Sequence, residues 1–234
     1  MKQGKMITVA AGDGHEFDAY LTGSTGAPVV LLFPAIFGLE ERVLAMADGW
    51  AAEGYVVAVP DFLSRAAAKG VIERGEEGMK RAFARWNEID TVRSIEDSGA
   101  LLAELKRQGH ATERFGALGY CAGGEMVWLA ATRLGAAVGA GFHPSRLTRH
   151  LAEADKIKGS LGFHFGGQDR AVPLAEVAEV QAALATNPRS EVHVYGGAQH
   201  GFTFTDLPSY HALAERVSRE RTLDMLRAAF FRQE

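Results

Sequence analysis

The chain has 234 residues, 47% of them hydrophobic and 23% charged, with a net charge of −4 at pH 7. That is enough apolar chain for a single domain over residues 1–234, and the lack of a basic excess argues against nucleic acid or an anionic membrane as partner. One cysteine cannot form an internal disulfide, the N-terminal stretch has no apolar signal-peptide core, and no run reaches the ~18 apolar residues of a membrane span, so a cytoplasmic protein is expected.

The predicted elements begin with "KMITVAA" and "HEFDAYLT", two short β-like runs joined by "GDGH", which reads as a hairpin turn. "APVVLLFPAIFG" is an apolar strand with no wet face, as in strands buried on both sides of a parallel sheet. Residues 40–53 have helical spacing and Gly54 is the expected stop. "YVVAVPDF" is a second buried strand, ended by Pro60. Residues 77–109 are polar and periodic, and read as two helices with a break near Asp90. "RFGALGY" is strand, "AGGEMVWLAATRL" helix, and "GAAVGAGFHPS" strand then loop. "GSLGFHFGGQD" repeats strand then loop, and a helix follows over "PLAEVAEVQAALAT" with Pro173 near its first turn. "EVHVYGGAQHGF" is again strand then loop, and residues 209–232 form a closing helix. Strand and helix alternate from residue 27 onward. The expected architecture is therefore α/β, a mostly parallel twisted sheet with helices on both faces and an N-terminal hairpin at one edge.

In such sheets, sites form beyond the carboxyl ends of strands. Three strand ends carry chemistry. After "FGAL" comes Gly119-Tyr120-Cys121-Ala122-Gly123, the strand-turn-helix setting of a nucleophile elbow with Cys in the usual Ser position. The turn is so sharp that the residues two before and two after the nucleophile must be small. A lone cysteine is more often a small packing residue, and the placement sets Cys121 apart. Asp169 follows "SLGFHFGGQ", and His200 follows "EVHVYGGAQ". Alone, Asp169 reads as a turn or cap and His200 as a loop residue. Together they give the order nucleophile, acid, base, each on its own loop.

These stretches resemble the dienelactone hydrolases, Cys-dependent members of the α/β-hydrolase fold. The resemblance is carried by "PAIFGLEE", "GYVVAVPDF", "ARWNEID", "LGYCAGG", "FGGQDRAVP", "QHGF" and "ERTLDML", which span about residues 28 to 228. It implies Cys121 as nucleophile, His200 as base and Asp169 as its orienting acid. It also implies the backbone N–H groups of Ile36 and Ala122 as oxyanion donors.

The resemblance also exposes departures. Family members that open dienelactones carry a glutamate where this chain has Ala35, and Glu40 and Glu41 lie further on, at a helix start. A carboxylate-gripping arginine four positions after the histidine is replaced by Phe204. A second, before the tryptophan matched by Trp86, is replaced by Met79, with Lys80, Arg81 and Arg85 nearby. The expected pocket therefore draws on Ala35, Phe37, Met79, Phe83, Trp86, Phe202 and Phe204, with His143 at its mouth. Ordinary packing is the alternative for Met79, Phe83 and Trp86. His164, inside "GFHFGG", reads as a satisfied core histidine, and no tight ligand pairs suggest a metal.

The resulting expectation is a hydrolase of esters, lactones or thioesters working through an acyl-enzyme on Cys121. The substrate is a small, apolar or neutral molecule, and no metal or organic cofactor is implied. The sequence leaves monomer and homodimer open. The alternative is a small-molecule binding protein on a hydrolase scaffold. Thiol redox sensing lacks a resolving cysteine within the chain.

Overall fold

A computed structural model describes residues 4–231. Its contacts divide into two compact units, with the boundary after Gly116.

The first unit starts with the expected hairpin. β1 (Lys5–Ala10) and β2 (Glu16–Thr22) are antiparallel, with Lys5 opposite Leu21 and Ala10 opposite Glu16. Gly14 takes the left-handed conformation the tight turn demands, at φ 83°. β3 (Val29–Phe33), α1 (Glu41–Ala51) and β4 (Val56–Pro60) follow. β3 and β4 pair in parallel and every residue in both is buried, which explains their unbroken apolar sequences. Each fully buried Val or Leu contributes about 1.5–3 kcal/mol. β2 pairs antiparallel with β4, giving the order β1-β2-β4-β3 with β1 at the end. Gly54, at φ 97°, turns the chain from α1 into β4. α2 (Glu76–Glu88) and α3 (Thr91–Arg107) are separated at Asp90. The Asp90 carboxylate caps α3, accepting from the N–H groups of Val92 (3.0 Å) and Arg93 (3.2 Å).

The boundary falls within β5 (Phe115–Tyr120), and the second unit carries the remainder of that strand with α4 (Gly123–Leu129), β6 (Val138–Phe142), β7 (Ser160–Gly166), α5 (Leu174–Leu184), β8 (Glu191–Tyr195) and α6 (Ala212–Phe230). Strands follow the order β5-β6-β7-β8, with β6–β7 and β7–β8 parallel. The predicted closing helix agrees with α6, and its last expected residue, 232, lies outside the described residues. Two features depart from the sequence reading. The helix after Cys121 widens into a π-turn over Ala130–Leu134, closed by left-handed Gly135. A 3-10 helix over Leu147–Lys156 occupies a stretch to which the sequence reading assigns no element. Tertiary contacts hold that helix: Trp128 Nε1 donates to the His150 carbonyl (3.1 Å), and Arg133 pairs with Glu153 (2.7 Å). No helix among the described residues is long and apolar enough to cross a membrane.

Candidate active site

The elbow after β5 is built as its glycines require. A Cβ on Gly119 would lie 2.2 Å from the Gly123 carbonyl oxygen. A Cβ on Gly124 would meet the Pro144 side chain at 2.2 Å, so the second glycine of "AGG" lets α4 approach the loop after β6. Cys121 itself sits at φ 55°, a strained conformation for a residue that bears a Cβ. Its N–H donates to the Phe142 carbonyl (3.0 Å), and its own carbonyl accepts from Gly124 (3.0 Å) and Ser145 (3.1 Å).

The loops after β7 and β8 are stitched together. Gly167 N–H donates to the Tyr195 carbonyl and Gln168 N–H to that of Ala198, both at 2.8 Å. Gly166 permits this approach, since a Cβ there would stand 2.6 Å from the Ala198 oxygen. The result brings Asp169 to His200, with His200 Nδ1 2.8 Å from Asp169 Oδ2. The other carboxylate oxygen accepts from the N–H groups of Ala171 (2.8 Å) and Val172 (3.2 Å). The Asp169 side chain has no exposed surface, and both of its oxygens are hydrogen-bonded. His200 completes the chain through a hydrogen bond to the Cys121 side chain.

The electrostatics favour charge separation. Burial pushes the Cys121 thiol up, but the charge of His200 and hydrogen bonds from His200, the Ala122 N–H and Ser145 outweigh it, leaving the thiol below its ordinary value. Burial pushes His200 down. The neighbouring thiolate and the Asp169 carboxylate overcome that and raise it to about 10. Both shifts run toward the charged forms, the thiol downward and the imidazole upward.

His143 corrects an expectation. It does not sit at the mouth of the site, because it has no exposed surface. Its ring packs edge-on against His200, 4.9 Å between centroids, and against Phe204 at 5.0 Å and Phe202 at 5.5 Å. Nε2 shares a hydrogen bond with Thr203 (3.0 Å). Burial, then the charge of His200, keep the ring well below its usual pKa, so it stays neutral. Phe202 and Phe204 are buried in the same cluster, where Tyr120 lies 6.0 Å from Phe204. His164 is a core residue with both nitrogens used, by Tyr195 (2.9 Å) and Thr222 (3.2 Å).

In the first unit, Ala35, Ile36 and Phe37 follow β3, with Ile36 and Phe37 buried. Arg74 stacks over the Phe37 ring at 4.1 Å and pairs with Glu40 at 2.5 Å, so Glu40 is held by a salt bridge. Arg85 is not a group reaching toward substrate: it is 1% exposed. Its guanidinium donates to the carbonyls of Ile36 (2.6 Å), Gly70 (2.5 Å) and Ala68 (3.4 Å), fastening the loop that holds Ile36. Trp86 is buried, while Phe83 and Met79 are 45% and 40% exposed. Sequence reasoning passed over Ser145. The clue was its place in "FHPSR", the same kind of strand end as the other three.

The sequence profile described as the Dienelactone hydrolase family matches residues 17–230. The carboxymethylenebutenolidases of Pseudomonas putida and Pseudomonas knackmussii are each 29% identical over 224 residues, covering 94% of both chains. Among solved structures, a dienelactone hydrolase-like promiscuous phosphotriesterase from metagenomic libraries superposes with TM-score 0.76 at 22% identity, covering 97% of this chain and 99% of that one. A puromycin-hydrolyzing peptidase of Mycobacterium tuberculosis gives 0.72 at 17% identity, covering 98% of this chain and 40% of that one. The fold is the α/β-hydrolase fold, and with the profile running through nearly the whole chain, this protein belongs to the dienelactone hydrolase family of ester hydrolases.

Proposed function

We propose that the protein hydrolyses a neutral or apolar ester, lactone or thioester through a Cys121–His200–Asp169 triad. The observation that carries this reading is the continuous hydrogen-bonded chain from the elbow cysteine through His200 to buried Asp169. In the reaction, the Cys121 thiolate attacks the carbonyl carbon and the carbonyl electrons move to oxygen. The Ala122 N–H, already directed at the sulfur, is placed to donate to that oxyanion. The resemblance alone assigns Ile36 the second donor. His200 then gives its proton to the leaving alcohol or thiol, forming the acyl-enzyme. Next it takes a proton from water, whose oxygen attacks the acyl carbon, and sulfur leaves as thiolate. Asp169 holds the imidazole in the orientation that presents Nε2 to both events.

The pocket is read as apolar because Phe202 and Phe204 pack with Tyr120 and His143 where an anion would need a cation. The lactone class is suggested by the carboxymethylenebutenolidase relatives. The family profile, which crosses the boundary between the two units, supports a single hydrolase domain. A cytoplasmic location belongs to the same reading. The test is p-nitrophenol release from short-chain esters, with Cys121→Ser as control and mass analysis for an acyl adduct on Cys121. Turnover unchanged in the serine variant, with no adduct, removes the proposal.

A further inference from the structure

Among the described residues only three non-glycine residues have positive φ: Cys121 (55°), His143 (40°) and Arg146 (63°). Strain of this kind collects where function pins the backbone. The last two bracket a four-residue turn, His143-Pro144-Ser145-Arg146, at the end of β6. That turn is fastened to the elbow on both sides of the nucleophile. Cys121 N–H donates to Phe142, the residue before the turn, and Ser145 N–H donates back to the Cys121 carbonyl. Pro144 fills the space left open by Gly124. Ser145 is itself buried, and its hydroxyl is hydrogen-bonded to the Cys121 side chain. The mechanism above gives this hydroxyl no task. A Cβ-bearing residue at φ 40° immediately before a proline is a costly way to build a connecting loop. The conformation places the His143 ring against His200 and the Ser145 side chain at the sulfur.

We propose that Ser145 is a further catalytic residue, whose hydroxyl donates a hydrogen bond to the Cys121 thiolate in the resting enzyme and again as sulfur leaves the acyl-enzyme. The inference rests on reading Cys121 as the nucleophile. During acylation a sulfur lone pair forms the S–C bond and negative charge passes to the carbonyl oxygen, so the Ser145 bond weakens. During deacylation the S–C bond breaks, its electrons return to sulfur, and the bond re-forms. Ser145 keeps its proton throughout. The groups that favour the thiolate are His200, the Ala122 N–H and Ser145. A donor to sulfur makes it a better leaving group, and its principal effect falls on deacylation.

The test compares the parent with Ser145→Ala and Ser145→Thr. Iodoacetamide alkylation of Cys121 is followed against pH, thermal melting is recorded on the same samples, and acyl-enzyme is measured by mass during turnover of p-nitrophenyl acetate. In Ser145→Ala the alkylation midpoint should rise by about one pH unit, roughly tenfold less thiolate at a fixed pH. Acyl-enzyme should accumulate, with kcat and KM falling together. Ser145→Thr, which keeps the hydroxyl, should titrate close to the parent. An alanine variant that melts and titrates like the parent overturns the proposal, and Ser145→Gly gives the same reading if the alanine variant does not fold. The titration reads sulfur alone, so the two claims separate. A shifted midpoint in a protein inert to esters removes the hydrolase and leaves the hydrogen bond. An active parent with no shift removes only the role of Ser145.

Discussion

Asp169→Asn is the smallest change that interrogates the proposed triad. The amide oxygen can replace Oδ1 and keep the bonds from Ala171 (2.8 Å) and Val172 (3.2 Å), so the loop after β7 stays capped. The amide nitrogen then takes the place of Oδ2, 2.8 Å from His200 Nδ1. Two N–H groups now face each other. The imidazole escapes by losing the Nδ1 proton and placing its remaining proton on Nε2, where it can no longer accept one from the thiol. A hydrogen bond to a charged group is worth about 1.5–3 kcal/mol, or roughly 10- to 150-fold in imidazolium population. The wrong tautomer adds to that, and the same change in a serine protease triad lowers kcat about 10⁴-fold. The expected loss of kcat/KM on p-nitrophenyl acetate is therefore about 10²- to 10⁴-fold, with the melting temperature nearly unchanged. A loss below tenfold in a variant that melts like the parent refutes the reasoning, and Asp169 is then only the cap of its loop.

His200→Ala should remove on the order of 10⁴ or more of turnover without unfolding the protein; a loss under tenfold would move the base elsewhere. In the parent, Cys121 should alkylate with a midpoint below the free-thiol value of about 8.5. In His200→Ala the imidazolium that lowers the thiol is gone while the burial that raises it remains, so the midpoint should move up past the parent's; an unmoved midpoint removes the ion pair. Replacing Arg85 by Met should destabilise the fold by about 2–5 kcal/mol, because two or three buried carbonyls lose their donor; chemical denaturation measures this, and a change under about 1 kcal/mol contradicts the clamp. A neutral methyl ester should be hydrolysed at least as fast as the corresponding carboxylate-bearing lactone. Faster turnover of the anion would show that a cation takes the place of the arginine missing at Phe204.

The sequence by itself determined the order of elements and the residues at three strand ends. Those signals are local: five-residue apolar runs such as Val29–Phe33 have only a doubly buried strand to occupy, and an elbow announces itself through glycines two residues either side of Cys121. The break at Asp90 was legible for the same reason, since a cap is chemistry between near neighbours. What needed the tertiary structure was every feature set by a partner distant in the chain. The 3-10 helix over Leu147–Lys156 is held by Trp128 and Arg133, not by its own periodicity. Arg85 looks like a solvent-facing cation on a polar helix, and only folding shows its guanidinium enclosed by the carbonyls of Ile36 and Gly70. His143 and Ser145 are adjacent to one proline in a loop-like stretch. Strand pairing and two left-handed residues turn one against His200 and the other onto the sulfur, because backbone hydrogen bonds between β5 and β6, rather than side-chain preference, decide where a turn points.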